Sequence, residues 1–359
     1  MQPSQWMIYG ANGYTGALTA RMAVDQGLRP VLAGRNADAV EALAAELGLD
    51  ARVFDLTDPA AVDAGLAEMA VVLHCAGPFT RTSKPMADAC LRTGVHYLDI
   101  TGEINVFETL AARDDEAKQA GVMLLPGAGF DVVPTDCLAA HLHRRLPTAT
   151  RLVLAFQALS DVSHGTATTV IEQMGQGRGG MVRRDGQLVA VPTAWKTREV
   201  DFGHGPRQAM TVPWGDVATA FHTTGIPNIE VYMALSPHMI RAAKAGRLLA
   251  PLMGLGPVQA VAKRWVAARP PGPSDAVRAR GFSRLWGMAC DDAGACVESR
   301  MQTPEGYTLT ALASLVIVEK VLAGDAPVGY QTPASAYGAD LIMEIEGVTR
   351  VDVEVLKKN

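Results

Sequence analysis

The sequence predicts an α/β fold in two parts, a first domain built on a parallel sheet and a second α/β domain built on a mixed or antiparallel sheet. Three observations carry this expectation. From Trp6 to about Leu146, short apolar runs alternate with helix-period stretches, the pattern of repeated βα units. A glycine-rich turn follows the first apolar run directly. After about Pro147 the alternation gives way to strands joined by tight turns.

In the first part, strands are expected at 6–9, 30–33, 51–54, 71–75, 96–100 and 122–125, with helices at 37–47, 59–69 and 84–93 between them. Asn36 and Asp58 stand at N-cap positions. This is the element order of a Rossmann domain, assigned to residues 1–146. In the second part, strands are expected at 151–159, 197–202, 208–212 and 228–235, and a hairpin at 181–191 around Asp185-Gly186. Two long strands, 277–290 and 295–303, flank another Asp/Gly turn. Helices near 166–174, 238–249 and 307–323 are expected to pack on this sheet. Residues 147–325 then form a substrate and dimerisation domain, and 326–359 a segment returning toward the first domain.

Composition narrows the function. The chain of 359 residues is 48% hydrophobic and 19% charged, with 35 glycines and 21 prolines, as in a globular α/β protein rich in turns. A formal net charge of -5 without clustered Lys/Arg excludes a nucleic-acid surface. The five cysteines are scattered and form no CxxC, so neither a zinc site nor a disulfide framework is expected. Cys290 and Cys296 face one another across a turn and are expected to be reduced thiols. His141 and His143, two apart on a helix, point to different faces, and no metal is expected. With no signal-like N-terminus and no apolar run of about 20 residues, a soluble cytoplasmic protein is expected. The stretch 238–269 mixes apolar runs with Arg241, Lys244, Arg247, Lys263 and Arg264. Two packed helices with basic outer faces account for it; an amphipathic lid or membrane-surface patch is the alternative.

The chemistry begins at Gly10-Ala11-Asn12-Gly13-Tyr14-Thr15-Gly16, between a strand and a helix. Glycines there permit the tight turn, let the backbone reach a pyrophosphate, and allow close helix–strand packing, while the helix N-terminus offers free N–H groups. The second strand ends in Gly34-Arg35-Asn36, with no acid before Asp38. An acid there binds the ribose 2'-hydroxyl of NAD, whereas an arginine accommodates the phosphate of NADP, so NADP(H) is the expected cofactor. Asp55, after the third strand, is expected to meet the adenine amino group, with capping of the turn before Asp58 as the alternative, and Leu56 beside it is expected to contact the cofactor. Cys75-Ala76-Gly77-Pro78-Phe79, after the fourth, supplies small residues against which a ribose and nicotinamide can lie. Asp99, Thr101, Gly102 and Glu103 follow the fifth strand, and Asp131 the sixth, again at the sheet's carboxyl edge where ligands bind. Helix capping is the plainer reading of Thr101, Glu103 and Asp136.

The motifs YGANGYTG, LAGRN, CAGPF, GVHYLDITGE and GFDVVPTD, with Ser163-His164-Gly165-Thr166, PGPSDAVR at 271–278, GYTLTA at 306–311 and TPASAYG at 332–338, resemble the saccharopine dehydrogenase-like oxidoreductases, nearest to their trans-acting enoyl reductase branch. The resemblance implies NADP(H), a Rossmann domain, an α/β second domain and a C-terminal helix returning to the first. It leaves the substrate open between amino-acid C–N oxidoreduction and C=C reduction in lipid or polyketide chains.

Hydride transfer needs an acceptor carbon held against the nicotinamide and a proton from a positioned acid or water. The Tyr-xxx-Lys pair is absent: the fourth residue on from Tyr14, Tyr97, Tyr232, Tyr307 and Tyr337 is Leu18, Thr101, Ser236, Ala311 and Leu341. Candidate acids are Asp131, Glu103 and His164, with Tyr97 behind them as a core residue. The leading expectation is reduction of an activated C=C bond in an apolar small-molecule substrate by a homodimer. A C–N oxidoreductase, using arginines such as Arg207, Arg278 and Arg280 for carboxylates, is the second. A non-catalytic dinucleotide-binding protein of lipid surfaces is the third.

Overall fold

Apolar runs short enough for strands and buried on both faces pair in parallel, and this is how the first half of the chain is built. The computed structural model describes residues 5–158, 179–246 and 272–354. The strands β1 (Gln5–Tyr9), β2 (Val31–Gly34), β3 (Ala51–Val53), β4 (Met69–His74), β5 (His96–Asp99) and β6 (Met123–Leu125) are all parallel, and Gly329–Tyr330 adds a seventh beside β6. From that seventh strand the order runs β6-β5-β4-β1-β2-β3. The order therefore reverses between β1 and β4, where an open α/β sheet forms a crevice at its carboxyl edge.

The connecting helices are α1 (Tyr14–Asp25), α2 (Ala37–Leu47), α3 (Pro59–Leu66), α4 (Phe79–Thr93), α5 (Ile104–Ala111) and α6 (Asp114–Ala120). Asn36 and Asp58 cap α2 and α3 as expected: Asn36 Oδ1 accepts from Ala39 N, and Asp58 Oδ1 from Ala60 N and Ala61 N. Met7, Ile8, Leu32, Val72, Leu73, Tyr97, Leu98 and Leu124 are fully buried. Burial of each such aliphatic side chain contributes about 1.5–3 kcal/mol.

Two compact units divide the chain, Met1–Val133 with Tyr307–Tyr337, and Pro134–Gly306 with Gly338–Asn359. The second holds β7 (Arg151–Ala158), β8 (Gly180–Arg184), β9 (Gln187–Val191), β10 (Thr197–Asp201), β11 (Pro206–Thr211), β12 (Asn228–Ala234), β13 (Phe282–Cys290) and β14 (Cys296–Pro304). Naming the first sheet's last strand, Gly329–Tyr330, β15 leaves β16 (Thr349–Val353) at the edge of the second. That sheet runs β10-β11-β12-β7-β13-β14-β16, with β8 and β9 branching from β12. Only β12 and β7 are parallel among its described pairs, so the sheet is mixed. Its helices are α7 (Val133–Arg145), α8 (Asp216–Thr224), α9 (Pro237–Gly246) and α10 (Asp275–Arg280). On one sheet face Ala155, Tyr232 and Trp286 form a core with Val200 and Phe202, and the Arg198 guanidinium lies 4.9 Å from the Trp286 ring centre.

Three expectations are corrected. The long helix α11 (Gly306–Leu322), which precedes α12 (Pro333–Tyr337), belongs to the first unit rather than the second sheet. Its Thr310 Oγ1 accepts from Phe130 N at 3.0 Å and its Ser314 Oγ donates to Ala128 O at 3.0 Å. The expected strand 277–290 begins only at Phe282, because Asp275–Arg280 closes a helical turn on the Ser274 carbonyl, which accepts from Val277 N and Arg278 N. Cys290 and Cys296 form a disulfide. They are directly opposed across the β13–β14 hairpin with Cα atoms 4.2 Å apart. That is the close approach of a non-hydrogen-bonded antiparallel pair.

The expected helix 166–174, His164 and most of the 238–269 stretch lie outside the described residues. Among the described residues no helix is long and apolar enough to cross a membrane, and no three His, Cys, Asp or Glu side chains group as a metal site.

Candidate active site

The glycine turn leaves β1 at Gly10, whose φ of +83° favours glycine. Its amide and that of Ala11 both donate to Ala33 O, at 2.8 and 3.1 Å, which fixes the turn over β2. A β-carbon on Gly10 would lie 2.8 Å from the backbone N of Ala76, so the segment after β4 lies directly on the turn. Gly13 is the N-cap of α1, gives it no side-chain bond, and is exposed like Asn12, while Gly16 is buried in the first turn. No acid occupies that turn. The first N–H groups of α1, at Tyr14, Thr15 and Gly16, thus present the positive end of a helix that no local carboxylate neutralises. The Tyr14 ring meets Tyr307 of α11 edge-on, with ring centres 5.1 Å apart.

On one side of the turn, at the end of β2, Arg35 is exposed and makes no hydrogen bond or ion pair with described residues. Asn36 spends its side-chain oxygen on the α2 cap. Asp55 Oδ1 accepts from Thr57 N and Oγ1 at 2.8 and 2.7 Å, and these bonds, helped by the nearby Arg35 charge, hold its carboxyl below the usual range. Leu56 is half-buried against the first core. Tyr9 stands beneath them, its hydroxyl donating to Phe54 O at 3.1 Å, and burial first, then Asp55, pushes its pKa up to about 12.

On the other side, β4 runs into His74, which sequence reasoning passed over. Its imidazole is fully buried against Tyr9, Phe79 and Tyr97, with ring centres 5.4–6.3 Å away. Neither ring nitrogen has a hydrogen-bond partner, and burial lowers the pKa to about 3, so it is neutral. Cys75 N donates to Tyr9 O at 2.7 Å, and burial pushes the Cys75 thiol up, away from nucleophilic use. Gly77–Pro78 is a cis peptide, and Thr82 Oγ1 donates to Ala76 O at 2.6 Å, bending the segment back onto α4.

Two carboxylates tie the loops at the sheet's carboxyl edge together. Asp99, fully buried, accepts from Tyr97 Oη at 2.6 Å and, through Oδ1, from Thr101 N and Gly127 N at 2.9 Å each. Burial nevertheless raises its pKa to about 6, against the pull of those bonds. Thr101 Oγ1 accepts from Glu103 N at 3.0 Å. Glu103, also buried, accepts from Phe79 N through Oε1 and from Thr80 N through Oε2, both at 2.9 Å. Its carboxylate is committed to capping α4, which argues against the expected proton-donor role.

Asp131 differs from both. Its side chain is half-buried and carries no hydrogen bond or ion pair to a described residue, and burial alone raises its pKa to about 6. It stands over Gly102, where an added β-carbon would be 2.6 Å from Oδ2. The glycine turn, 75–79, 99–103 and 126–131 are thus brought together, whereas His164 lies outside the described residues. Of the pins that α11 supplies, Tyr307 and Thr310 have the GYTLTA motif as their only sequence signal, and Ser314, three residues beyond it, has none. Arg278 pairs with Asp275 of its own helix at 2.9 Å and donates to Pro273 O, and His141 Nε2 bonds Asp352 at 2.8 Å.

The family model of the saccharopine dehydrogenase NADP binding domain matches residues 6–125. The chain is 34% identical over 148 residues to the trans-acting enoyl reductase of Mycobacterium leprae (strain TN), covering 39% of this chain and 35% of that one. It is 25% identical over 184 residues to the saccharopine dehydrogenase-like oxidoreductase of Bos taurus, covering 46% and 43%. Each match thus spans less than half of the curated relative's length. Among solved structures, apo saccharopine dehydrogenase (L-Glu forming) from Saccharomyces cerevisiae superposes with a TM-score of 0.65 at 12% identity, covering 98% of this chain and all of that one. At that identity the likeness is one of fold.

Proposed function

We propose, from the match of residues 6–125 to the saccharopine dehydrogenase NADP binding domain model, that the chain is an NADP(H)-dependent oxidoreductase reducing an activated C=C bond of an apolar, enoyl-type substrate. The observation that carries the chemistry is Asp131, a half-buried carboxyl without a partner among the described residues, whose pKa of about 6 makes it a proton donor near neutral pH. Similarity to the mycobacterial enoyl reductases supports the choice of a C=C bond.

The residues present fit the cofactor. The β-carbon that Gly10 lacks would fill the space taken by Ala76, and the first turn of α1 carries no acid. The α1 N-terminus with Gly10, Asn12, Gly13 and Gly16 would receive the pyrophosphate, Arg35 the 2'-phosphate, Asp55 and Leu56 the adenine, and Cys75–Phe79 with Thr101 and Gly102 the nicotinamide half. The bound dinucleotide supplies a hydride to one carbon of the double bond. Asp131 then delivers its proton to the neighbouring carbon and is left as a carboxylate, which its partial exposure lets solvent reprotonate. The Cys75 thiol, kept protonated by burial, takes no covalent part. A homodimer in the cytoplasm completes this reading.

Purified protein mixed with NADPH and a panel of trans-2-enoyl thioesters tests it. Loss of reduced-nicotinamide absorbance with enoyl substrates is the expected result. If amino acids or imines alone change the absorbance, a C–N oxidoreductase replaces this reading; NADPH binding without any turnover, together with flotation on liposomes, replaces it with a lipid-surface protein.

A further inference from the structure

We propose that Glu103 is a positioning residue of the dinucleotide site, holding the segment Cys75–Phe79 against the glycine turn through the N-terminus of α4. The inference rests on the NADP-binding reading of this unit. Helix α4 begins at Phe79, directly after the Gly77–Pro78 cis peptide, and its N-cap Pro78 offers no side-chain bond. The first N–H groups of a helix have no partner within it and need an outside acceptor. Glu103 provides one from 24 residues further on, one oxygen to Phe79 N and the other to Thr80 N, at 2.9 Å each. The two-pronged, charge-assisted geometry is the strong form of such a bond, and a carboxylate also complements the helix's positive end.

The clamp is anchored and its effect has a path. Glu103 is fixed through its own amide by Thr101 Oγ1, and Thr101 through its amide by Asp99 Oδ1. At the other end, Ala76 occupies the space that Gly10 leaves by lacking a β-carbon. Ala76 is thus seated against the turn, and loss of the clamp frees Cys75–Phe79 to move away while Gly10 stays fixed to Ala33 O. The strand order sets which half of the ligand feels it. β4 and β2 flank β1 on opposite sides, so the Glu103-held segment serves one half of a dinucleotide crossing at β1, and Arg35 the other.

The test is a pair of titrations on wild type and Glu103→Gln, one with NADPH and one with adenosine 2',5'-bisphosphate, which carries only the Arg35-side half. In the variant an amide N–H₂ faces a backbone N–H. The expected result is a roughly tenfold higher Kd for NADPH, the cost of losing one charge-assisted bond, with bisphosphate binding unchanged. Equal weakening of both ligands reduces Glu103 to a general structural residue and overturns the proposal, as does no change in either. If Glu103→Gln does not fold, Glu103→Asp keeps the charge, reaches one amide instead of two, and is expected to give the same asymmetry. Wild type that binds neither ligand overturns the NADP reading and the positioning role with it.

Discussion

Asp131 and Gly102 share one space: an atom placed at the missing β-carbon of Gly102 would lie 2.6 Å from Asp131 Oδ2 and 3.1 Å from its Cβ and Cγ. Gly102→Ala must therefore displace the carboxyl. With an error of this size at the proton donor, kcat is expected to fall by about tenfold to a hundredfold, beyond any loss of NADPH affinity that follows from the place of Gly102 beside the nicotinamide. Steady-state rates beside nucleotide titrations check this, and an unchanged kcat would separate Asp131 from the chemistry.

Asp131→Asn removes the proton. The rate of the proposed reaction should drop by about a hundredfold or more, and the falling limb near pH 6 in the wild-type profile should vanish. Stability should move the other way. Asp131 has a folded pKa of about 6, above its ordinary 3.8. The stability it contributes is thus fully present below the lower value and lost as pH rises through the higher one. Thermal unfolding should show Asp131→Asn equal to wild type near pH 4 and more stable at pH 7. A variant less stable at pH 7 would contradict the desolvated carboxyl.

Much of this site follows from the sequence, and the reason is local. Asn36 and Asp58 cap helices that start within three residues of them, and the apolar runs at 6–9 and 31–33 announce buried parallel strands unaided. The start of α4 was not legible: it is expected at Lys84 and found at Phe79, because its cap comes from Glu103, a partner no local pattern reveals. The placement of α11 was hidden for a related reason. Its own buried residues run around the helix, from Leu309 through Ser314 to Val321. A helix apolar on every side has no stripe to indicate the sheet it serves. Asp131 and Glu103 looked alike as acids, and only their hydrogen bonds divide them.

Asp99→Ala should be the most costly change at the sheet edge. It strands three buried donors, Tyr97 Oη, Thr101 N and Gly127 N. A loss of about 3–5 kcal/mol is expected in denaturant unfolding. Tyr97→Phe removes one bond and should cost about 1–3 kcal/mol. If the two variants proved equally stable, the network would not hold the loops.

Arg35→Ala should cut NADPH affinity by about tenfold to a hundredfold and leave NADH affinity almost unchanged, since charge-assisted bonds to a phosphate are lost and nothing else moves. Titrations with both nucleotides measure the ratio. Equal weakening of both would remove Arg35 from the 2'-phosphate.

The placement of α11 in the first unit affects how this protein is made. A nascent chain that has left the ribosome only as far as Val133 carries every strand around the glycine turn, yet Phe130 N and Ala128 O still lack the partners that Thr310 and Ser314 bring. The loop bearing Asp131 has its tie to Asp99 by then, but its second tie, to α11, forms only after translation has passed through the second unit's sheet down to β14. A fragment cut at Val133 for binding studies would therefore contain the whole nucleotide motif and still lack the brace behind its proton donor, and the brace is complete only in a piece that runs on through Tyr337.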